Sequence, residues 1–361
     1  MWNANTENSE DCLYSNIWAP ANAKYVILLG HLFIQNSVHT FTYQETLKLA
    51  LECLLNGFTC SNLPVMIWVY GGGFFYGSPS LILYDGKALA LTGNVVVVNI
   101  NYRVGPFGFL YLGNEGAPGN MGLLDQQMAI KWVRDNIANF GGDPSKITLF
   151  GESAGAASIV AQMIAPDSQG LFKNVILQSG TLTNKWAMNS PARALEKSHD
   201  LVKRSKCEKD VVSETVECLR ALTSEQVIDA EMWNIVTFME FPFVPVSKDP
   251  NFFKEKDGFV ALQTGDYDKT INILAGFNRD EGNFWAIYNF VDDFYKPEKP
   301  ELTWKRFQQH SLHKGRLDVV VLQLNQVIGD YFFTCDLLWL TDQMKNGPGQ
   351  VYVYYFTQPS R

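Results

Sequence analysis

The 361-residue chain has no long apolar run, and nothing in it approaches the roughly 20 consecutive apolar residues that cross a bilayer. The run at 25–29 is short and is followed by Gly30 and His31. The opening residues, MWNANTE, are polar and do not resemble a signal peptide. Basic residues are also few, since 29 Lys and Arg stand against 37 Asp and Glu. The net charge of −8 argues against nucleic acid as a partner and mildly favours a cationic ligand.

Charged residues make up only 18% of the chain and hydrophobic residues 47%, which excludes a disordered protein. The length suffices for one large domain or two smaller ones. There are six cysteines, of which Cys207 and Cys218 flank a short helical pattern and can pair. The sequence alone leaves the connectivity of all six open.

Short apolar runs alternate with helical patterns along the chain, which predicts an α/β fold with a mostly parallel sheet buried on both faces. The strands are expected at 65–70, 95–100, 146–150, 175–178, 271–275 and 351–356. The helices are expected at 123–139, 154–164, 191–205, 211–222, 224–230 and 332–344. No linker divides the chain, so a single domain over 1–361 is expected.

The segment 24–62 differs from its surroundings. It contains the capping-box pattern TYQE at 42–45, leucines at helical spacing, and a stop at Asn56-Gly57. Two interpretations stay open: an added surface helix, or sequence that does not belong to the fold.

The most informative stretch is 148–155, which reads TLFGESAG. A strand runs into a sharp turn and then into a helix, with Ser153 at the tip of the turn. This is the G-x-S-x-G pattern that exposes a nucleophilic serine at the top of a hydrolase sheet, and the alternative is an ordinary Gly/Ser turn. Because Gly151 and Gly155 lack a Cβ, they would let the new helix pack close to the strand it has just left.

A second glycine pattern, YGGGF at 70–74, follows a predicted strand. Backbone N–H groups in such a loop, together with the amide of the residue after the nucleophile, Ala154, can form an oxyanion hole. A dinucleotide-binding loop is a poorer interpretation, since its G-x-G-x-x-G spacing is absent here.

A catalytic acid should follow, because the order in this class of fold is Ser, then Asp or Glu, then His. The segment 278–282 reads NRDEG and comes after the strand predicted at 271–275. From the residues alone, either Asp280 or Glu281 could serve, and a solvated charged loop is an equal alternative.

Together these motifs resemble the cholinesterase branch of the type-B carboxylesterases, and within it most closely the invertebrate acetylcholinesterases. The resemblance extends over nearly the whole chain outside 24–62 and implies the α/β-hydrolase fold. The segments that carry it are SEDCLY at 9–14, YGGGF at 70–74, YRVG at 102–105, FGGDP at 140–144, GESAG at 151–155, QSG at 178–180, FVPV at 243–246 and DEG at 280–282.

The resemblance implies that Ser153 is the nucleophile and that Glu281, not Asp280, is the triad acid. It also implies an oxyanion hole, a choline-binding site that can hold a cation on ring faces, an acyl pocket and a gorge rim. The oxyanion donors are Gly72, Gly73 and Ala154; the choline-binding residues are Trp2, Glu152, Phe284 and Tyr84; the acyl pocket is Trp186, Met239, Phe241 and Trp285; the rim is Trp233 and Tyr288. For any single aromatic, core packing is the alternative.

The chain departs from the family pattern in one catalytic respect. No histidine matches the family's His-Gly motif, which would follow the strand at 351–356, and His310 and His313 lie in an unrelated polar stretch. The expectation is therefore an apparent fragment, truncated at both ends, that carries an insertion at about 24–62 and lacks the catalytic histidine. Without an imidazole to accept its proton, a serine hydroxyl is a weak nucleophile.

The remaining expectations also come from the resemblance. The Cys207–Cys218 pair keeps the family's disulfide spacing, and the family partners of Cys12 and Cys335 would lie outside this chain. The expected function is choline-ester hydrolysis through an acyl-serine intermediate, at a secreted or extracellular membrane-associated, synaptic location. The partner is a small cationic ester; no cofactor or metal is expected, and the parent enzyme could oligomerise through further C-terminal segments. The alternatives are a broad-specificity carboxylesterase and an inactive neuroligin-like adhesion module.

Overall fold

The computed structural model describes residues 5, 9–20, 62–230, 236, 240–289 and 325–358, and for 286–289 the backbone. The segment 24–62 therefore lies outside the described residues, except for its last position. Within these ranges no helix is long and apolar enough to cross a membrane.

Nine strands occur in the described residues. They are β1 (Ser15–Trp18), β2 (Leu63–Val69), β3 (Val96–Ile100), β4 (Tyr111–Asn114), β5 (Ala117–Pro118), β6 (Gly142–Glu152), β7 (Asn174–Gln178), β8 (Asn272–Asn278) and β9 (Val351–Phe356). Seven of them form one sheet in the order β1-β3-β2-β6-β7-β8-β9, while β4 and β5 form a separate pair. β1 is antiparallel to β3, and every other neighbouring pair of the large sheet is parallel.

The sheet forms because its inner strands are apolar on both faces. β3 reads VVVNI and is buried along its whole length, as a strand covered on both sides must be. Its β-branched valines suit an extended backbone. The sequence prediction of a mostly parallel sheet is confirmed, and the carboxyl ends of the six parallel strands define one edge.

Ten α-helices connect and cover these strands in the described part of the chain. They are α1 (Lys87–Gly93), α2 (Gly105–Phe109), α3 (Met121–Asn136), α4 (Ala154–Ile164), α5 (Pro191–Arg204), α6 (Val212–Arg220), α7 (Ser224–Ala230), α8 (Gly258–Thr264), α9 (Gly282–Asn289) and α10 (Cys335–Met344). Every residue of α4 is buried, which its small side chains permit. α5 begins with Ser190, whose hydroxyl accepts from the Arg193 amide, followed by Pro191 at the first helical position.

Most predicted elements occur where the sequence placed them, with shifts at their ends. The strand predicted at 146–150 begins earlier, at Gly142, and the helix predicted at 123–139 runs over Met121–Asn136 with a 3-10 turn at Ile137–Phe140. The elements that the sequence did not predict are the short ones: β1, the β4–β5 pair, α1, α2, α8 and α9. In these elements, which have two to eight residues, the sequence shows no clear periodicity.

A disulfide joins Cys207 to Cys218, with 5.5 Å between the Cα atoms, as their spacing suggested. Cys207 is fully buried in a small second core beside Leu112, Val216 and Leu219. The bond ties the end of α5 to α6 and so stabilises a part of the molecule that lies apart from the main core. Cys12 and Cys335 form no disulfide within the described residues.

Candidate active site

Ser153 occupies the turn between β6 and α4 with φ 55° and ψ −120°. A non-glycine residue adopts such a backbone at a cost on the order of 1–3 kcal/mol, so the surrounding structure must hold it. The Ser153 amide donates to the Gln178 carbonyl at 2.8 Å, and its carbonyl accepts from Ala157 N at 3.0 Å. The backbone is thereby fixed, while the hydroxyl makes no hydrogen bond to the described residues.

Two glycines press against this turn from either side. A Cβ on Gly71 would lie 2.4 Å from the Glu152 carbonyl oxygen and 3.1 Å from Ser153 Cβ, and a Cβ on Gly180 would lie 2.3 Å from the Ser153 carbonyl oxygen. These distances are too short for any side chain. Gly71 and Gly180 therefore allow the loops after β2 and β7 to approach the serine closely.

The two glycines of the G-x-S-x-G motif were expected to let α4 pack close to β6, and only part of this expectation holds. A Cβ on Gly151 would lie 2.6 Å from the Val69 carbonyl oxygen and 2.9 Å from the Gly155 backbone, so Gly151 lets α4 pack close to β6 and also lets β2 approach. A Cβ on Gly155 would instead lie 2.0 Å from the carbonyl oxygen of Val69, at the end of the neighbouring strand β2. Gly155 thus corrects the sequence interpretation, because its tightest contact is with β2 and not with the strand that the helix has just left.

The glycine loop turns sharply beside the serine. Gly72 and Gly73 have φ values of 113° and 58°, in the region that favours glycine, and Phe75 and Tyr76 both donate to the Gly72 carbonyl. In the described part of the molecule, the amides of Gly72 and Gly73 donate no backbone hydrogen bond. Ala154 opens α4, where amides have no partner within the helix. All three N–H groups can therefore donate to a ligand oxygen.

Glu281 lies three residues after the end of β8 and is held by three donors. Its Oε1 accepts from the Asn278 amide at 2.7 Å, from Asn278 Nδ2 at 3.2 Å and from the Ser179 hydroxyl. Burial raises the pKa of Glu281, and these hydrogen bonds oppose the rise. Asp280, in contrast, has a side chain that is 39% exposed and is paired with Arg279 at 2.6 Å. Of the two acids left open by the residues alone, Glu281 is the one that faces the interior.

Ser153 and Glu281 lie at the same edge of the sheet. β6, β7 and β8 are parallel neighbours, with Glu152 paired to Gln178 and Gln178 paired to Gly276. Ser179 and Gly180, which follow β7, contact Glu281 and Ser153 respectively. The loop after the middle strand thus links the two candidate catalytic groups, as expected for residues that follow parallel strands.

Glu152 is a second carboxylate at this edge. A Cβ on Gly71 would lie 2.9 Å from Glu152 Oε2, which places the carboxylate beside the glycine loop. Glu152 is exposed at the end of β6, yet protein atoms lie close around its carboxylate. This crowding, followed by the charge of Glu281, raises the pKa of Glu152 to about 7. The Tyr84 ring packs at 5.1 Å on Trp68, and burial, with the nearby charge of Glu152, raises the pKa of Tyr84 to about 12.

An aromatic cluster adjoins the glycine loop. The Phe241 ring lies 5.8 Å from Trp186, 5.6 Å from Trp285 and 5.3 Å from Phe75, and one of its ring carbons would be 3.1 Å from a Cβ on Gly73. The Trp186 indole donates to a backbone carbonyl, that of Phe332, at 2.9 Å. The structure therefore brings three of the four predicted acyl-pocket residues together beside a predicted oxyanion donor.

The other aromatic predictions fare differently. Phe284 is 42% exposed and contacts Trp285, with 5.2 Å between the ring centroids. Trp2, Trp233 and Met239 lie outside the described residues, as does the side chain of Tyr288. Their assignments stay predictions.

His199 is the one histidine among the described residues, exposed on α5 and without a hydrogen bond to Ser153 or Glu281. His310 and His313 lie outside the described ranges. Within those ranges the structure therefore brings no imidazole to the serine.

Sequence reasoning assigned no role to several residues that hold the site. They are Gly71, Phe75, Asn278, Ser179, Gly180, Phe332 and Phe333. The QSG segment at 178–180 matches the family, but the match assigns it no function. A signal for Ser179 and Gly180 was available, since they follow the strand between those that carry the two candidate catalytic residues.

Comparison with known proteins agrees with this geometry. The model of the carboxylesterase family matches residues 1–361. The chain belongs to this family. Acetylcholinesterase 4 of Caenorhabditis briggsae is 47% identical over 400 residues, which cover 100% of this chain and 60% of that protein. Acetylcholinesterase of Leptinotarsa decemlineata is 34% identical, with 99% and 58% covered, and cholinesterase 1 of Branchiostoma lanceolatum is 36% identical, with 98% and 96% covered. This carboxylesterase-family chain thus spans about three fifths of two of these relatives.

Proposed function

We propose that the protein hydrolyses choline esters through an acyl-serine intermediate. The observation that carries the proposal is the arrangement at one end of the sheet: a strained serine turn, a glycine loop with free amides, and a half-buried Glu281. Membership of the carboxylesterase family and the names of the three relatives support it.

In the proposed reaction, the Ser153 hydroxyl attacks the ester carbonyl and transfers its proton to an imidazole base. The amides of Gly72, Gly73 and Ala154 donate to the negative oxygen that develops, and such donors each contribute on the order of 3–4 kcal/mol. Glu281 orients the imidazole and stabilises its charged form. The alcohol then leaves, and water releases the acid from the serine. The described residues supply every group except the imidazole.

The choline preference rests on charge and on aromatic rings. Glu152 places a carboxylate beside the serine, and Tyr84 lies close enough that this negative charge contributes to the raised pKa of its hydroxyl. A quaternary ammonium has no hydrogen-bond donor and binds favourably to ring faces, for which Trp2 and Phe284 are further candidates. The acyl group would occupy the space bounded by Trp186, Phe241 and Trp285, with Met239 as a fourth proposed wall and Trp233 and Tyr288 at the rim.

The proposed location is extracellular, in keeping with the expected secreted or synaptic setting. The Cys207–Cys218 disulfide supports this, because such bonds persist in oxidising compartments and are rare in the cytosol.

The test uses the complete protein encoded by the transcript that carries this chain. Its turnover of acetylthiocholine should fall by at least about a thousandfold in Ser153→Ala. Ser145→Ala, which removes an exposed serine on the same strand, should retain full activity. An uncharged thioester with the same acyl group separates the alternatives. Equal kcat/KM for both esters would favour a broad carboxylesterase, and no Ser153-dependent turnover of either would favour an adhesion module.

The 361-residue polypeptide expressed alone should hydrolyse acetylthiocholine no faster than its Ser153→Ala variant, because no histidine in it matches the family motif. Ser153-dependent turnover by this polypeptide would contradict that expectation and would direct attention to His310 and His313.

A further inference from the structure

A buried lysine on α5 contacts the segment that carries Phe241. Lys197 is only 2% exposed, and its Nζ donates to the Phe241 carbonyl oxygen at 2.7 Å. Asn189 Oδ1 lies 3.5 Å from the same nitrogen, and Glu240 Oε2 lies 3.9 Å from it. The ammonium group is therefore shared between a backbone carbonyl, an amide oxygen and a carboxylate.

Arg193, one turn earlier on α5, holds the neighbouring residue of the same segment. Its Nε donates to Glu240 Oε1 at 3.3 Å, and its Nη2 donates to Glu240 Oε2 at 2.6 Å. Such bidentate pairing of a guanidinium with a carboxylate fixes the relative orientation of the two groups as well as their separation. Both Arg193 and Glu240 side chains are largely shielded, at 22% and 16% exposure, so the pairing is screened less than a surface pair.

The backbone adds a third attachment slightly further along. Asn189 donates to the Pro245 carbonyl at 2.8 Å, and Ser247 donates to the Asn189 carbonyl at 3.0 Å. The segment 240–247 is thus attached at both ends to α5 and to the residues just before it.

These contacts together fix the position of Phe241. Its backbone is held by Lys197, while its ring lies against Trp186 and Trp285 and beside Gly73. A shift of about 1 Å in the backbone at Phe241 would change the space available next to a proposed oxyanion donor, and displacements of this size alter enzyme rates strongly.

We propose that Lys197, assisted by the Arg193–Glu240 pair, is a positioning residue that sets the size of acyl group the site accepts, by fixing Phe241. The inference rests on the proposed function for its substrate. It adds a determinant that touches neither the substrate nor the reacting atoms.

The chemistry of Lys197 supports this role. Burial lowers the pKa of Lys197 to about 8, because removing an ammonium from water costs free energy that its partners only partly offset. An apolar side chain of similar length would fill the same space without that cost, but it could not donate to the Phe241 carbonyl. The ammonium group of Lys197 therefore serves mainly to position the Phe241 backbone and adds little to the free energy of unfolding.

The experiment compares Lys197→Met with Lys203→Met, an exposed lysine on the same helix. In the complete protein, Lys197→Met should raise the butyrylthiocholine-to-acetylthiocholine ratio of kcat/KM by about tenfold, the lower end of the discrimination that one methylene group gives in an apolar pocket. Lys203→Met should leave the ratio unchanged. If Lys197→Met does not fold, Glu240→Gln, which keeps the shape of the side chain, should shift the ratio in the same direction.

A purely structural role predicts a different result. Both substrates would then lose activity by the same factor, and an unchanged ratio in Lys197→Met or Glu240→Gln would overturn the proposal. Hydrogen exchange in the 361-residue chain tests the attachment without turnover, since the amides of 241–247 should exchange faster in Lys197→Met than in Lys203→Met. Equal exchange would refute the anchor itself, whereas absent choline-ester turnover by the wild-type complete protein would refute the proposed function.

Discussion

At the scale of single residues, the two carboxylates beside the serine differ in how they are held. Glu281 is surrounded by donors from Asn278 and Ser179 and serves, in the proposed reaction, to orient a base. The pKa of Glu152 is raised to about 7 by crowding and by the charge of Glu281. Glu152 therefore changes its charge near neutral pH, at the point where the proposed reaction places the cationic alcohol group.

The raised pKa of Glu152 has a consequence for stability. Between pH 4.5 and about 7 the folded chain binds more protons at Glu152 than the unfolded chain does. The contribution of Glu152 to the free energy of unfolding is therefore largest at low pH and decreases as the pH rises through this range. We expect the melting temperature of Glu152→Gln, relative to wild type, to rise from pH 4.5 to 7 and to level off above.

Thermal unfolding of the 361-residue chain at several pH values measures this difference. Glu214→Gln, on the exposed side of α6, is the matched control and should show no such trend. A difference between Glu152→Gln and wild type that stays constant with pH would disprove the electrostatic assignment.

At the scale of elements, the β6–turn–α4 unit depends on close backbone contacts. A Cβ on Gly155 would lie 2.0 Å from the Val69 carbonyl oxygen, and neither backbone can move without disturbing the buried core around α4. The strained conformation of Ser153 depends on that contact, because α4 begins at the following residue.

Gly155→Ala should therefore lower the free energy of unfolding by about 3 kcal/mol or more, at the upper end of overpacking effects. Gly93→Ala is the control, since Gly93 also lies in a helix but a Cβ there would meet its nearest neighbour at 3.5 Å. Urea denaturation of both variants measures the effect. Equal stability of the two would show that the approach of α4 to β2 is looser than the structure indicates.

At the scale of the whole molecule, the described sheet has an apolar edge at β9. Tyr352, Val353, Tyr355 and Phe356 on this strand are each about half exposed, and β9 pairs only with β8 among the described strands. An exposed apolar edge strand is a template for pairing with another chain. Among the described strands, β9 is thus an exposed edge strand of the sheet.

The 361-residue chain should consequently self-associate as its concentration rises, and Val353→Lys should suppress the association, because an edge charge opposes pairing. Leu91→Lys, at another exposed apolar position, is the control and should not suppress it. Sedimentation velocity over a concentration series distinguishes the outcomes. A monomer at all concentrations, or equal effects of both variants, would contradict the role of β9.

The sequence by itself determined the features that depend on neighbouring residues. Residues 148–155 specified the strand, the serine turn and the start of α4, since a glycine-flanked turn and a change of periodicity are local signals. The alternation of short apolar runs and helices gave the parallel sheet, and the order of strands put Ser153 and Glu281 at one edge. Short elements such as β1 and α8 were missed because their few residues carry no clear pattern.

Only the tertiary structure decided which side chains meet across long separations. Ser179 and Glu281 are 102 positions apart, and Trp186 and Phe332 are 146 apart, so no spacing in the sequence links them. The same holds for Lys197 and Phe241, whose contact requires α5 to lie along the segment 240–247. The raised pKa of Glu152 and the inward orientation of Glu281 likewise follow from burial and from partners on other strands, which exist once the sheet has formed.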